Sequence, residues 1–185
     1  MGLVSALRGG LRRFGVDLIR TRNLAKLRAD ARSAGDIAFL CALDDASLRP
    51  ALDCLPHSQG QLRQDIFALA SNGFKRNGFF VEFGATDGKT LSNSWLLEKH
   101  FGWTGILAEP GRVWHPRLTA NRTARIEFDC VWSRTGEEFS FTEADEAELS
   151  TISSFSESDG HAASRKSSRS YTVKTVAFNE LLERH

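Results

Sequence analysis

An α/β fold with parallel strands is what this 185-residue chain predicts, and three observations carry the prediction. The run Phe79-Phe80-Val81-Glu82-Phe83 is apolar and β-favouring, and the glycine turn Gly84-Ala85-Thr86-Asp87-Gly88 follows at once. A helix-like stretch over 91–101 comes next. A second short apolar strand, 104–108, then closes on the acid Glu109. Strand, tight turn, helix and strand form the opening unit of a nucleotide-binding sheet, whose buried parallel strands read as short continuous apolar runs.

The other elements follow in order. Leu3, Leu7, Leu11, Phe14 and Leu18 recur at helical spacing with arginines between them, so the N-terminus predicts a basic amphipathic helix weakened by Gly9-Gly10. Two readings stand for it: weak contact with an anionic membrane surface, or packing on the domain. Residues 34–56 read as helical and loop-like, with Pro50 and Pro56 as breakers. Residues 61–71 predict a helix with Leu62, Ile66, Leu69 and Ala70 on one face, and Asn77-Gly78 turns the chain into the first strand. Gly102 suits the left-handed position after the 91–101 helix. Residues 113–121 predict a helix that tolerates Pro116 only in its first turn. Residues 125–132 predict a third strand, completing βαβαβ with parallel strands. Beyond it lie a short strand at 137–141, a serine-rich loop at 150–170 with Arg165, Lys166 and Arg169, a strand at 171–176 and a helix from 179. The domain boundary falls at 57/58, with a helical segment before it.

Composition narrows the function classes. The chain is 41% hydrophobic and 25% charged, ordinary for a globular protein. Net charge is +1, which gives no global case for nucleic acid. Within 1–33, eight basic residues face only Asp17 and Asp30, so that segment carries +6 and the rest −5. Cys41, Cys54 and Cys130 lack metal spacing and are odd in number, which predicts reduced thiols, no metal site and a cytoplasmic location. The N-terminus lacks the apolar core and cleavage pattern of a signal peptide.

The candidate chemistry gathers at the strand ends. Glu82-x-Gly84-x-x-x-Gly88 departs from G-x-G-x-x-G, and suits an adenosyl ligand without a pyrophosphate, S-adenosylmethionine above all. Gly84 lets backbone approach a ligand, with Ala85 beside it, and Gly88 does the same at the mouth of the helix. Glu82 is placed for a methionyl ammonium, and Glu109 for both ribose hydroxyls, as the acid of dinucleotide folds is. Asp129 suits an adenine amino group or is an ordinary strand-end acid. Ser92, Asn93 and Ser94 either cap the helix or, through Asn93, orient the ligand's carboxylate. His100 fits a helix C-terminus, while His115 and His161 are weak candidates for a general base. No catalytic residue is assigned.

These residues closely resemble the FkbM-type S-adenosylmethionine-dependent methyltransferases. The resemblance rests on the run 79–88, on Thr90-Leu91-Ser92-Asn93-Ser94, on Leu96-Leu97-Glu98-Lys99 and on the run 102–110. It extends to Gln61-Leu62-Arg63-Gln64-Asp65, where Gly60 stands in place of the serine the family often shows. It also takes in Asn121-Arg122, Cys130-Val131-Trp132, Leu149-Ser150-Thr151-Ile152 and Val173-Lys174-Thr175-Val176, about 58–185 in all. It implies a Rossmann-like sheet and methyl transfer from S-adenosylmethionine to a hydroxyl of a small molecule or glycan. It also implies a later strand, with an Ile-Asp-x-Glu-Gly-like motif, beside the 79–83 strand. That motif does not occur in this chain, so a truncated methyltransferase domain is the expectation. The rivals are a non-catalytic Rossmann-like scaffold and a nicotinamide-dependent dehydrogenase, the latter disfavoured by the missing G-x-G-x-x-G.

Overall fold

The computed structural model describes residues 21–144, 151–152 and 168–185. The amphipathic stretch within 1–20 and most of the serine-rich loop, including His161, Arg165 and Lys166, lie outside the described residues. The chain divides into two compact units, 1–44 and 45–185.

In the first unit, helix α1 (Thr21–Cys41) ends within the region 34–56 read as helical and loop-like. The second unit opens with α2 (Asp45–Cys54), which contains Pro50 and buries Ala51 and Cys54. Pro56 falls in the short 3-10 turn Leu55–His57. Helix α3 (Gln64–Ser71) buries Ile66 and Leu69 completely. It starts later than the expected 61–71, because Arg63 adopts a left-handed φ of 63° and breaks the helical run. Asp65, fully buried, accepts the Ser58 hydroxyl at 2.7 Å and the N–H groups of Gln59 and Gly60 at 2.8 and 3.1 Å. A Cβ on Gly60 would stand 2.8 Å from that carboxylate.

The sheet that follows matches the βαβαβ expectation. Strand β1 (Phe79–Phe83) pairs in parallel with β2 (Thr104–Ala108), which pairs in parallel with β3 (Arg125–Glu127). Helix α4 (Trp95–Phe101) links β1 to β2, and Gly102 ends it at φ 68°, as its position predicts. Helix α5 (His115–Asn121) links β2 to β3, with Pro116 in its first turn. Among the described residues β1 is an edge, with Phe79 54% and Phe83 52% exposed.

Two boundaries differ from expectation for physical reasons. Helix α4 begins at Trp95 rather than 91, because Leu91 adopts a left-handed φ of 60° after the turn that Asp87 makes with the N–H groups of Lys89 and Thr90. The single strand expected over 125–132 is two. Strand β4 (Cys130–Trp132) leaves β2 and pairs in parallel with β7 (Ser168–Ala177). An apolar pattern does not name a strand's partner, so the break at Phe128-Asp129 is invisible to it.

The second sheet runs β4-β7-β5-β6, where β5 is Glu138–Ala144 and β6 is Thr151–Ile152. Strands β5 and β7 are antiparallel, Glu138 opposite Lys174 through Ala144 opposite Ser168. Both are longer than the sequence pattern suggested, and 151–152 and 168–170 are strand rather than loop. Helix α6 (Phe178–Arg184) follows β7 directly. Ile106 of β2, Val176 of β7 and Leu181 of α6 are fully buried together, with Val81 and Val131 against them. One core therefore joins the two sheets through the middles of β1 and β2.

Candidate functional site

At the carboxyl end of β1 a cavity of about 360 Å³ opens over the turn Glu82–Asp87. Thr90–Asn93 form one further wall, and Trp114 and Arg117 of the α5 region the other. Backbone bonds assemble it: the N–H groups of Gly84 and Ala85 donate to Ala108 O at 2.9 and 3.3 Å, and Glu109 N–H donates to Glu127 O at 2.9 Å. The ends of all three parallel strands are thereby tied together, where α/β sheets bind ligands.

The glycines have different duties. Gly84 has φ 68°, and nothing lies within 4 Å of where its Cβ would stand, so it turns the chain and leaves that side open. Ala85 is 2% exposed and lines the same wall. Gly88, at φ 75°, faces away from the cavity. A Cβ there would meet Arg122 Cγ and Leu118 Cδ1 at 2.6 Å, so its absent side chain admits α5 rather than a ligand.

The two strand-end acids also differ. Glu82 lines the cavity and is already met by three donors: Asn93 N–H at 2.7 Å, Ser92 Oγ at 2.9 Å and the Ser94 hydroxyl. Glu109, 5% exposed, sits behind the turn. Its Oε2 accepts Thr86 N–H at 2.8 Å and its Oε1 accepts Gly111 N–H at 2.7 Å. Burial pushes the Glu109 carboxyl above its ordinary value, with Glu143 adding to the rise, and those two hydrogen bonds offset it only in part. Thr86, which touches Glu109, is held at φ 48°, a left-handed conformation uncommon for a β-branched residue.

Asn93 lines the cavity, and its backbone N–H serves Glu82. Ser94 is the N-cap residue of α4 and makes no side-chain cap bond; Ser92 Oγ instead accepts the N–H groups of Ser94 and Trp95 at 3.2 and 3.1 Å. Asp129 stands apart, ion-paired with Arg184 at 3.1 Å. His115 bonds Glu109 O through Nε2 at 3.0 Å and stacks on Phe128, and burial pulls its pKa down. His100 packs against His57 in a tilted arrangement with ring centroids 4.3 Å apart, and burial and that neighbour lower its pKa. Neither histidine lines the cavity. Among the described residues no cluster of His, Cys, Asp and Glu has the geometry of a metal site, and no helix is long and apolar enough to cross a membrane.

The residue that holds this region together is Arg122, which the sequence pattern did not mark as functional. Its side chain is completely buried. Nε donates to Glu98 Oε2 at 2.7 Å, Nη1 to Gly88 O at 2.9 Å and Ser92 Oγ at 3.3 Å, and Nη2 to Ser94 Oγ at 2.8 Å. Glu82 lies 3.9 Å from Nη1. Asn121 adds a bond from Nδ2 to Asp87 O at 2.7 Å. The end of α5 thus clasps the segment 87–94 that walls the cavity. Burial disfavours the charge of Glu98, but bonds from Lys99, Thr123 and Arg122 outweigh it and hold the carboxyl at about 2. A second support comes from the other sheet. The Tyr171 hydroxyl donates to Glu143 at 3.0 Å and accepts Arg112 N–H at 2.9 Å, and Glu143 accepts Val113 N–H at 3.1 Å, so β5 and β7 hold the loop after Glu109.

Compared with known proteins, the chain matches no family model, no curated protein and no solved structure.

Proposed function

We propose that the chain is an S-adenosylmethionine-dependent O-methyltransferase of FkbM type with a Rossmann-like sheet, acting on a hydroxyl of a small molecule or glycan. The observation that supports this reading best is the convergence of Gly84 and Glu109. A glycine turn with open space beside it ends β1, and the carboxylate that ends β2 is hydrogen-bonded to the same turn. An adenosyl ligand fits that chemistry, because Gly84 leaves a cradle a Cβ would fill and Glu109 keeps lone pairs for ribose hydroxyls.

In this reading Gly84 and Ala85 admit the ligand, Glu109 orients the ribose, and Glu82 and Asn93 face its amino-acid end. Asp129 meets the adenine amino group only by sharing its bond to Arg184. The cofactor supplies an activated methyl carbon, so the protein's task is to align an acceptor oxygen and exclude water. The setting is cytoplasmic, with weak contact to the inner membrane surface through the basic N-terminal segment.

The rival is a non-catalytic scaffold, favoured by one observation: Glu82 already has three protein donors. Calorimetry separates the readings. Micromolar binding of S-adenosylmethionine, near −8 kcal/mol, is expected. Tighter binding of NAD overturns the proposal. Cofactor binding without methyl transfer to any hydroxyl in a panel of sugars and phenols favours the scaffold.

A further inference from the structure

The acceptors that face the cavity are committed, and its donors are not. Glu82 receives three donors from the segment 92–94. Asp87 receives the N–H groups of Lys89 and Thr90 and the Thr90 hydroxyl, at 2.9, 2.7 and 2.9 Å. Each carboxylate therefore already holds three of the protein's own donors and has little acceptor capacity left.

Arg117 lines the same cavity with its side chain 68% exposed. Among the described residues its charged partner is Asp87, with Nη2 3.7 Å from Oδ2, too long for a hydrogen bond. An exposed pair at that distance is weak and easily exchanged. Trp114 lies three residues earlier, so α5 geometry puts both residues on one wall. Neither the Trp114 indole N–H nor the Asn93 side-chain amide has a hydrogen-bond partner among the described residues. The wall therefore presents a planar guanidinium, an indole and an amide, and the matching ligand group accepts hydrogen bonds and carries negative charge.

We propose that Arg117, with Trp114 and Asn93, forms an anion subsite that takes a carboxylate or phosphate of a bound ligand. A guanidinium meets such a group through two parallel N–H bonds, which its contact with Asp87 does not supply. The inference rests on the adenosyl reading of this cavity for one of its two sources, the carboxylate at the amino-acid end of the cofactor. The other source is an anionic group on the methyl acceptor.

The test compares wild-type protein with Arg117→Ala by calorimetry. The side chain is exposed, so the fold is expected to survive. The probes are S-adenosylhomocysteine, 5′-methylthioadenosine, which keeps the nucleoside thioether but lacks the amino-acid carboxylate, and inorganic phosphate added to protein saturated with 5′-methylthioadenosine. A loss of about tenfold for S-adenosylhomocysteine with no change for 5′-methylthioadenosine assigns the anion to the cofactor. Unchanged binding of both nucleosides, with phosphate binding lost in the variant, assigns it to the acceptor. Arg117→Lys should recover only part of either loss. Equal losses for the two nucleosides, or no loss with any probe, overturn the subsite. Wild-type protein that binds phosphate through Arg117 but neither nucleoside sinks the methyltransferase reading and leaves the subsite standing. Wild-type protein that binds none of the three overturns both.

Discussion

The two ends of the three-stranded sheet each carry a cavity, about 360 Å³ at the carboxyl end and about 270 Å³ at the amino end. Their walls differ. The amino end is lined by Phe79, Trp103, Thr104, Gly105, Thr123, Ala124 and Arg125, with no carboxylate among them. Its glycines serve close packing: a Cβ on Gly78 would meet the Trp103 ring at 2.6 Å, and one on Gly105 would meet Phe80 O at 2.3 Å. The carboxyl end has two carboxylates in the wall, a third behind it, and backbone held in left-handed conformations at Gly84, Thr86 and Leu91. Void volume therefore does not separate the end proposed to bind a ligand from a packing gap. Polar groups held in fixed positions, and strain tolerated around them, do. Variants of the carboxyl-end supports should change stability, variants of the groups proposed to meet the ligand should change affinity, and variants at the amino end should change stability alone.

The largest effect is expected at Arg122. Removing a guanidinium that is completely buried leaves Glu98 with Lys99 as its one remaining cation among the described residues, and Gly88 O, Ser92 and Ser94 without the Arg122 donor. Arg122→Ala should lower unfolding free energy by roughly 3–5 kcal/mol, the cost of breaking a buried pair from one side. Urea titration measures it. A loss below about 1 kcal/mol would mean that the clasp does not hold the wall.

Next is Glu98. Its carboxyl is held at about 2 against an ordinary 4.5, so its ionised form stabilises the fold above pH ~4.5 and the contribution fades as pH falls toward ~2. The size is about 3 kcal/mol. Glu98→Gln should lag wild type by that amount near pH ~7, and the gap should narrow on acidification. A gap that stays constant down to pH ~2.5 would assign the pairing energy elsewhere.

Glu109 comes third and acts on affinity. Glu109→Gln should weaken S-adenosylhomocysteine binding by about 1.5–3 kcal/mol, the range for hydrogen bonds to a charged acceptor. Its pKa is raised, chiefly by burial, so the carboxylate form is lost at a higher pH than for an ordinary glutamate. Wild-type affinity should fall as pH drops through that raised value, while the glutamine variant stays flat. Parallel pH profiles would remove Glu109 from the ribose contact.

What the sequence made legible follows from range. Strands β1 and β2, the left-handed Gly102 and the acid closing β2 are local patterns, and they stand in the structure where the pattern put them. Arg122 was quoted within the run Asn121-Arg122, but nothing local marks it, because its partners lie 24 to 34 residues away in the chain. The Tyr171–Arg112 bond spans 59 residues and is equally silent in the sequence. The start of α4 was misplaced for a different reason. Residues 91–94 carry a helical pattern, but Leu91 is held at a left-handed φ of 60° that no right-handed helix accommodates, and a side-chain pattern does not reveal it.

The smallest effect tests the silent end. Trp103 is 6% exposed, and its indole Nε1–H donates to Lys75 O at 2.9 Å, with the Lys75 ammonium 5.5 Å from the ring centroid. Trp103→Phe keeps an aromatic ring against Gly78 and deletes the donor, leaving Lys75 O to water or to no partner. The cost should be about 1–2 kcal/mol, one neutral hydrogen bond plus the indole area no longer buried. Affinity for S-adenosylhomocysteine should not move, because Trp103 lies at the opposite end of β2 from Glu109 and shares no partner with it, and distant sites act additively. The two measurements belong together: a urea midpoint shifted by about that amount, with calorimetric affinity equal to wild type. An affinity loss comparable to that of Glu109→Gln would show that the amino end communicates with the ligand wall through the strands. The division between a binding end and a packing end would then be wrong.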